Sequence, residues 1–417
     1  MLDVTKPFII SKQSVMKAYK LIKANAGAAG IDEQSITDFE EDLKNNLYKL
    51  WNRLSSGCYF PPPVKAVPIP KKSGGKRILG IPTVSDRIAQ MVVKLEFEPC
   101  VEPYFHKDSY GYRPKKSALD AIGVTRERCW KYDFVLEYDI KGLFDNIDHE
   151  LLMKAICKHT SNKWVILYIK RWLKVPMQLR NGELQERTKG VPQGGVISPV
   201  LSNLFLHYVF DTWMTRDYAH IPWCRYADDG LLHCKTLPQA KYMLERLKER
   251  MQKCGLEIHP EKTKIVYCKD ERRNKKYSYH SFEFLGYEFQ TRTAKNEKDK
   301  CLFNSFLPAV SKTAKKSMRK RIREYRLNRK TDISMKDIAN YFNPILRGWI
   351  EYYGKYYHTA LEPVFWYFNK RLQAWMMRKY KKLRGRTIWT RKILSKIYEQ
   401  KPYLFEHWKN GMKGSFV

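Results

Sequence analysis

Apolar side chains recur along the chain with two different periods, which predict both helices and strands. Helical spacing predicts helices within 1–60 and over 85–101, 149–159, 163–173 and 200–215. Alternating or continuous apolar runs predict a hairpin over 61–82 and strands over 134–140, 223–226 and 230–234. Past about residue 300 the pattern predicts helices alone, over 314–329, 335–356 and 361–383. Strands mixed with helices in no regular βαβ order indicate an α+β fold.

The charge of the chain indicates what kind of partner it binds. Its 417 residues include 78 Lys and Arg against 43 Asp and Glu, a formal net charge of +35. From Thr291 to the last residue there are 31 Lys and Arg against 9 Asp and Glu, so +22 of this excess lies there. With 43% hydrophobic residues the chain can also build large cores, which excludes a disordered basic tail. We therefore predict nucleic acid as the partner.

Cysteine spacing and hydropathy bear on the compartment. The nine cysteines are spread singly and none has zinc-ligand spacing, which is typical of reduced thiols in a cytoplasmic protein. No apolar run approaches the roughly 18 residues of a membrane span. The first residues match neither a secretory signal nor a transit peptide. We expect a cytoplasmic protein without a membrane partner.

Three aspartates lie at the ends of predicted strands. The tetrapeptide YADD (226–229) separates two strand-like runs, so a hairpin would present Asp228 and Asp229 at its tip, and Asp139 lies near the end of another strand. If these strands are neighbours, the three carboxylates form an all-oxygen site, which suits Mg²⁺. Taken alone, an Asp pair is weak evidence for a metal site, because an ordinary β-turn more often uses Asp for its own backbone hydrogen bonds.

A series of motifs resembles the reverse transcriptases encoded by group II introns, also called intron maturases. YADD and FVLEYDIKGLFDNIDH (134–149) resemble the family's metal-binding motifs, and GVPQGGVISP (190–199) resembles the loop beside the incoming nucleotide. Further similar segments are IPKKSGGKR (69–77), SYGYRP (109–114), the stretch 255–263 and FLGY (284–287). NAGAAGID (25–32) resembles the N-terminal extension motif, and YFNPILRGW (341–349) resembles the maturase thumb. Seven polymerase motifs in the family's order make a chance match implausible.

The resemblance implies a right-hand polymerase with fingers and palm, made of an antiparallel sheet plus helices, and an α-helical thumb. It divides the chain into an N-terminal extension (1–65), fingers and palm (66–290), a helical thumb or maturase domain (291–383) and a short basic DNA-binding-like segment (384–417). It implies RNA-templated DNA synthesis with two Mg²⁺ ions, for which Mn²⁺ can substitute. Partners would be an RNA template, a DNA or RNA primer, deoxynucleoside triphosphates and the parent group II intron RNA, whose splicing and mobility the protein would assist.

The resemblance also assigns roles to residues near the catalytic centre. Asp139, Asp228 and Asp229 would be the catalytic metal ligands, together with Ile140. Lys71 and Arg77 would reach the triphosphate, because Lys offers a point charge and Arg a planar fork. Gln193 would contact the nucleotide. Phe144 would be a steric gate that leaves no room for a 2′-hydroxyl. The alternatives are solvated surface charge for Lys71 and Arg77, loop packing for Gln193 and a core position for Phe144.

A second set of residues is assigned to nucleic-acid binding. On the basic helix predicted over 312–330, contacts to phosphates would give affinity and salt dependence but little sequence choice. The residues in this set are Arg87, Arg113, Lys315, Arg319, Lys320 and Arg323, with Asn203 as a further candidate for the substrate pocket. For the helix, the alternative is an exposed face that binds nothing.

Three other functions stay open at the level of sequence. The protein would act chiefly as an RNA-binding splicing cofactor if its carboxylates were dispensable for its biological role. It would be a domesticated intron-like enzyme of DNA repair or phage defence if no intron surrounded its gene. It would be an RNA polymerase if it accepted ribonucleotides, although Phe144 argues against this.

Overall fold

The computed structural model describes residues 6–70, 75–295 and 301–412. The chain divides into two compact units. The first takes the described residues of Met1–Ala121 and Leu136–Lys264, and the second takes those of Ile122–Val135 and Ile265–Val417. The four domain ranges predicted from the sequence follow motif resemblance, whereas these two units follow packing within the structure. The four ranges stay predictions.

Helices account for most of the described residues. In chain order the α-helices are α1 (Lys12–Asn25), α2 (Ile36–Glu41), α3 (Leu43–Ser55), α4 (Val84–Val101), α5 (Ala118–Lys131), α6 (Leu143–Asn146), α7 (His149–His159), α8 (Lys163–Leu173), α9 (Ser198–Leu206), α10 (Thr212–Asp217), α11 (Leu237–Lys253), α12 (Lys312–Glu324), α13 (Met335–Tyr357), α14 (Glu362–Lys379), α15 (Thr387–Gln400) and α16 (Glu406–Lys409). A π-helical turn, His207–Asp211, joins α9 to α10. Across the parts of the chain that the structure describes, no helix combines the length and the apolar character needed to cross a membrane.

The strands form three sheets. In chain order they are β1 (Val64–Pro70), β2 (Lys76–Ile81), β3 (Phe134–Asp139), β4 (Met177–Gln178), β5 (Leu184–Gln185), β6 (Trp223–Tyr226), β7 (Asp229–Cys234), β8 (Lys264–Tyr267), β9 (Ser281–Phe284), β10 (Tyr287–Lys295) and β11 (Leu302–Val310). The sheet orders are β2-β1-β4-β5, β6-β7-β3-β8 and β11-β10-β9. This mixture of sheets and helices confirms the predicted α+β fold class.

Local sequence explains where the key helices of the first unit begin. Thr83 caps α4 by accepting a hydrogen bond from the Asp86 amide at 3.1 Å, and Asp148 caps α7 by accepting one from the Leu151 amide at 2.8 Å. Each cap satisfies a backbone N–H that has no partner within its helix. α7 then buries one face through Leu152, Ala155 and Ile156.

Two antiparallel hairpins position the groups that matter for function. β1 and β2 pair from Lys65 opposite Ile81 to Pro70 opposite Lys76, which confirms the hairpin predicted over 61–82. β6 and β7 pair from Trp223 opposite Leu232 to Tyr226 opposite Asp229, as the YADD pattern predicted. In its sheet β7 lies between β6 and β3, so the strands that carry the three aspartates are neighbours.

The second unit has an aromatic core and a sheet that the sequence pattern did not predict. Phe342, Phe368, Trp375 and Trp408 are among its buried side chains. The expectation that the chain is helical from about residue 300 was wrong for β11, which pairs with β10 along nine residues. The last six residues of β11 are all buried, so both faces are apolar and the alternation that identifies a half-buried strand is missing.

Candidate active site

Two strand ends carry the predicted metal ligands. Asp139 is the last residue of β3, and Asp228 and Asp229 lie at the turn between β6 and β7. At this turn Ala227 has φ +55°, the left-handed region that a non-glycine residue enters only when its surroundings hold it there. Gly111 is part of those surroundings, since a Cβ at that position would lie 2.4 Å from the Ala227 nitrogen.

The carboxylates disturb one another's protonation. Asp229 is exposed as a residue, but protein atoms crowd its carboxyl, and burial followed by the charges of Asp228 and Asp139 raises its pKa to about 7. The pKa of Asp228 is also raised, mainly by burial and partly by the charge of Asp139. Like charges this close favour protonation unless a cation neutralises them. The cluster therefore has the electrostatics of a cation-binding site.

A lysine supplies one positive charge at this cluster. The Lys262 ammonium lies 2.8 Å from Oδ2 of Asp139, and the His259 amide donates to the Asp139 carbonyl at 2.8 Å. Both residues belong to the segment 255–263, whose backbone also pairs with the chain after β3 through Lys141 and Glu257. Long-range backbone pairing thus brings Lys262 to Asp139 across 123 positions of sequence.

The donor set fits a hard divalent cation. Asp139, Asp228 and Asp229 offer carboxylate oxygens, which Mg²⁺ prefers over nitrogen or sulfur. Within the described ranges, no three His, Cys, Asp or Glu side chains are already arranged to hold a metal ion. In the present arrangement the Lys262 ammonium neutralises Asp139, and a metal ion would compete with this ammonium for the same carboxylate oxygen.

One large cavity of about 1080 Å³ adjoins the carboxylates. Six residues that the sequence assigned to catalysis or nucleotide binding line this cavity: Arg77, Asp139, Ile140, Phe144, Gln193 and Asp228. Lys71 lies outside the described residues. Residues separated by up to 151 positions of sequence thus share one cavity, large enough for a nucleotide.

Backbone hydrogen bonds fasten Phe144 to the glycine-rich loop. The carbonyl of Phe144 accepts from the Val191 amide at 2.6 Å, and the carbonyl of Ile147 accepts from the Gly190 amide at 2.7 Å. Gln193, further along this loop, donates from Nε2 to Oδ2 of Asp145 at 3.4 Å. Phe144 is half-buried and lines the cavity, which is compatible with the predicted steric gate.

Several cations in the cavity wall were not predicted. They are Lys76, Lys141, Arg187, Lys189 and Lys262. Arg187 and Lys189 directly precede the loop at 190–199, so their proximity to a known motif was a usable signal. Lys262 lies within the motif-like stretch 255–263 and so carried the same signal, but its contact with Asp139 depends on a long-range pairing. Together these side chains give the cavity lining an excess of positive charge, which suits a polyphosphate.

Three other predicted residues have partners inside the protein instead of facing the cavity. Arg87 is buried, and its Nη2 donates to the Ala28 carbonyl at 2.9 Å, which anchors the bend at 25–32. Arg113, with a side chain only 6% exposed, forms a paired contact with Glu102. Asn203 donates to the Gly111 carbonyl at 2.7 Å. These contacts favour structural roles over direct nucleic-acid binding.

The basic helix α12 lies in the second unit. Its buried face consists of Met318 and Ile322, and most of its cations are exposed. Arg319, Lys320 and Arg323 are exposed, whereas Lys315 is half-buried and its pKa is lowered, first by burial and then by neighbouring Arg292. The helix therefore presents a charged face and does not carry charge around its whole circumference.

Comparisons with known proteins match two stretches of the chain. Residues 69–289 match the family model described as reverse transcriptase (RNA-dependent DNA polymerase). Residues 315–396 match the group II intron, maturase-specific domain.

Individual relatives differ in how much of their own length the chain covers. The chain is 31% identical over 307 residues to protein YkfC of Escherichia coli, covering 63% of this chain and 79% of YkfC. It is 35% identical over 193 residues to the group II intron-encoded protein LtrA of Lactococcus lactis, covering 46% of this chain but 32% of LtrA. A telomerase from Candida albicans aligns over 91% of this chain and 68% of its own, with 12% identity and a TM-score of 0.45.

Proposed function

The chain belongs to the group II intron-encoded reverse transcriptases, RNA-directed DNA polymerases that also carry a maturase domain, and on this premise we propose how its site works. Asp139, Asp228 and Asp229 hold two Mg²⁺ ions, with the backbone carbonyl of Ile140 as a further ligand. Mn²⁺ can substitute for Mg²⁺. The bound ions supply activation of the primer hydroxyl and stabilisation of the leaving pyrophosphate. The supporting observation is the convergence of Asp139, Asp228, Arg77, Phe144 and Gln193 on one cavity.

Residues of the cavity wall bind and orient the nucleotide. Arg77 at the start of β2, together with Lys71 before it, binds the triphosphate, for which a guanidinium is suited by its planar pair of donors. Gln193 lies on a loop whose glycines allow close approach of backbone to ligand. Phe144 lies against that loop and excludes the 2′-hydroxyl, so the substrate is a deoxynucleoside triphosphate.

The partners follow from the two domains. An RNA template and a DNA or RNA primer occupy the polymerase domain, and the parent group II intron RNA binds the maturase domain, including α12. Through that RNA the protein assists splicing and mobility of its intron. LtrA, whose name describes a group II intron-encoded protein, supports this role, although the chain spans only about a third of its length.

A primer-extension assay on an RNA template tests the proposed metal site. Asp139→Ala and Asp228→Ala should each abolish extension, because each removes a carboxylate from the pair of ions. Template affinity should stay within about tenfold of the original, since phosphate contacts elsewhere dominate binding. Glu245→Ala, which removes an exposed carboxylate on α11, is the control and should extend normally. Near-normal synthesis by either aspartate variant would overturn the assignment.

A further inference from the structure

Two buried polar side chains one turn apart on α4 connect the interior to the nucleotide loop. Asp86 and Gln90 are 1% and 2% exposed, and neither lines the cavity. Gln90 donates from Nε2 to Oδ2 of Asp86 at 2.9 Å. The other carboxylate oxygen, Oδ1, accepts from the Tyr59 hydroxyl at 2.8 Å and from Nε1 of Trp172 at 2.7 Å. Both oxygens of Asp86 therefore act as acceptors.

The opposite end of the Gln90 amide holds the loop at 190–199. Its Oε1 accepts from the Val196 amide at 2.7 Å and from the Ile197 amide at 3.4 Å. The packing is close, because a Cβ on Gly195 would lie 3.1 Å from this oxygen. Gln193, the proposed nucleotide contact, is three residues before Val196.

The loop is also fastened at Gly190 and Gln193 by side chains, since a ring nitrogen of His149 lies 2.7 Å from the Gly190 carbonyl and Gln193 contacts Asp145 as described above. Backbone hydrogen bonds add to these contacts. The Gly80 amide donates to the Gln193 carbonyl at 2.8 Å, and the contacts of Gly190 and Val191 described above fix the start of the loop. At Val196 and Ile197 the partner is a side chain, and a glutamine amide can face either way. A reversed amide would point its NH₂ group at two backbone N–H donors, and each buried donor left without an acceptor is costly.

We propose that Asp86 and Gln90 are positioning residues for nucleotide binding. The Asp86 carboxylate accepts only, so it selects the amide orientation in which Gln90 presents its oxygen to the loop. The loop then keeps Gln193 at the cavity wall. This inference rests on the proposed function, since it takes the loop as the nucleotide contact.

Exchanging the acid and the amide between the two positions tests the proposal. Asp86→Asn gives the pair two amides, and neither orientation of the asparagine satisfies Gln90, Tyr59 and Trp172 together. Gln90→Glu places two carboxylates side by side in the interior. In the double variant the new asparagine donates to the new glutamate, whose other oxygen accepts from Val196 and Ile197, so every bond is restored with one negative charge.

Nucleotide kinetics separate positioning from stability. We expect each single variant to raise KM for deoxynucleotides about tenfold, as loss of one or two buried hydrogen bonds allows, with kcat changed much less. Gln90→Met, which removes all three hydrogen bonds of the Gln90 amide without a charge clash, should behave the same way if a charged variant fails to fold. The double variant should return KM to within about threefold of the original.

A matched control addresses the carboxylate itself. Tyr59→Phe removes one bond to Asp86 but leaves the bond between Asp86 and Gln90, so it should lower the melting temperature without changing KM. Single variants with the original KM, or a double variant no better than the singles, would overturn the proposal.

Hydrogen exchange keeps the proposal testable without activity. The amides of Val196 and Ile197 should lose protection in each single variant and regain it in the double variant. If the original chain extended no primer, the proposed function would fail, while this exchange pattern would still decide whether Asp86 and Gln90 hold the loop. Unchanged protection in all variants would overturn the positioning role.

Discussion

Arg225 is a fully buried cation directly before the tetrapeptide at 226–229, and its contacts explain why burial is tolerated. Its guanidinium forms two hydrogen bonds to Asp211, at 2.8 and 2.7 Å, and neither side chain is exposed. A buried ion pair adds little net stability compared with apolar packing. Its remaining donors, however, reach the Ala227 carbonyl at 3.1 Å and the Ser109 hydroxyl at 2.8 Å. The charge thus supports the left-handed turn that presents Asp228 and Asp229, the proposed metal ligands.

Asp86 allows a prediction about pH and stability. Burial raises its pKa from 3.8 to about 6, against the opposing effect of its hydrogen bonds. Because the folded state holds this proton more tightly than the unfolded state, the free energy of unfolding should fall as pH rises from about 4 to about 6. A difference of about two pKa units corresponds to about 3 kcal/mol.

Denaturant unfolding of the original chain and of Asp86→Asn, from pH 4 to pH 7 and at one pH value above 7, checks this contribution. The stability difference between the two proteins should change by that amount across the interval and stay flat above pH 7. A difference that does not depend on pH would mean that Asp86 is ionised in the folded state throughout.

Phe144 leads to a prediction about sugar selectivity. Phe144→Val removes the ring from the cavity wall, so it should open space for a 2′-hydroxyl and raise ribonucleotide incorporation relative to deoxynucleotide. Competing the two substrates in primer extension on an RNA template measures the ratio. An unchanged ratio, with extension intact, would show that the ring is only a packing residue.

Among the secondary-structure elements, α12 carries the most concentrated charge in the second unit. Each cation that contacts a phosphate releases condensed counterions, which contributes about 0.7 to 0.9 to the slope of log affinity against log salt. Replacing Arg319, Lys320 and Arg323 together by Gln should therefore reduce this slope by about two to three. Filter binding of RNA at several salt concentrations gives the slope. In primer extension, the DNA products made in one binding event should also be shorter.

The chain provides a charge-matched control for α12. A second triple variant replaces three exposed lysines of α11, Lys241, Lys248 and Lys253, by Gln. It removes the same charge from the first unit and should change the slope less. Single-nucleotide addition at saturating template should survive in both triple variants, because the proposed metal ligands Asp139, Asp228 and Asp229 are intact. Equal slopes for the two would mean that α12 is an exposed face without phosphate contacts.

Elements with a clear period were predictable, and those whose burial depends on distant partners were not. α7 and α8 have the predicted bounds because each has one apolar face. β11 was missed because both of its faces are buried. At the candidate site, six of the residues that the family resemblance assigned to catalysis or nucleotide binding line one cavity. Lys262 and Gln90 were not foreseen, since their roles depend on pairing across 123 and 106 positions.

Across the whole molecule, the net charge of +35 links stability to salt and to RNA. Self-repulsion among like charges weakens the compact state, and salt screens it. Without RNA, the melting temperature should therefore rise as salt increases from about 20 to about 150 mM, because the Debye length shortens markedly over this range. An RNA that binds only the folded state should stabilise it by about 2.7 kcal/mol at a hundred times its Kd.

The effect of RNA on the melting temperature should have the opposite salt dependence. Because phosphate contacts weaken with salt, the increase that RNA causes should be largest at low salt and nearly vanish at high salt. Thermal unfolding with and without an RNA template, at three salt concentrations, measures both trends in one experiment. Inorganic polyphosphate at matched charge is the control that separates a general polyanion effect from one that needs RNA. An RNA-induced increase that is independent of salt would contradict an electrostatic origin, and the excess charge would then have to serve another purpose.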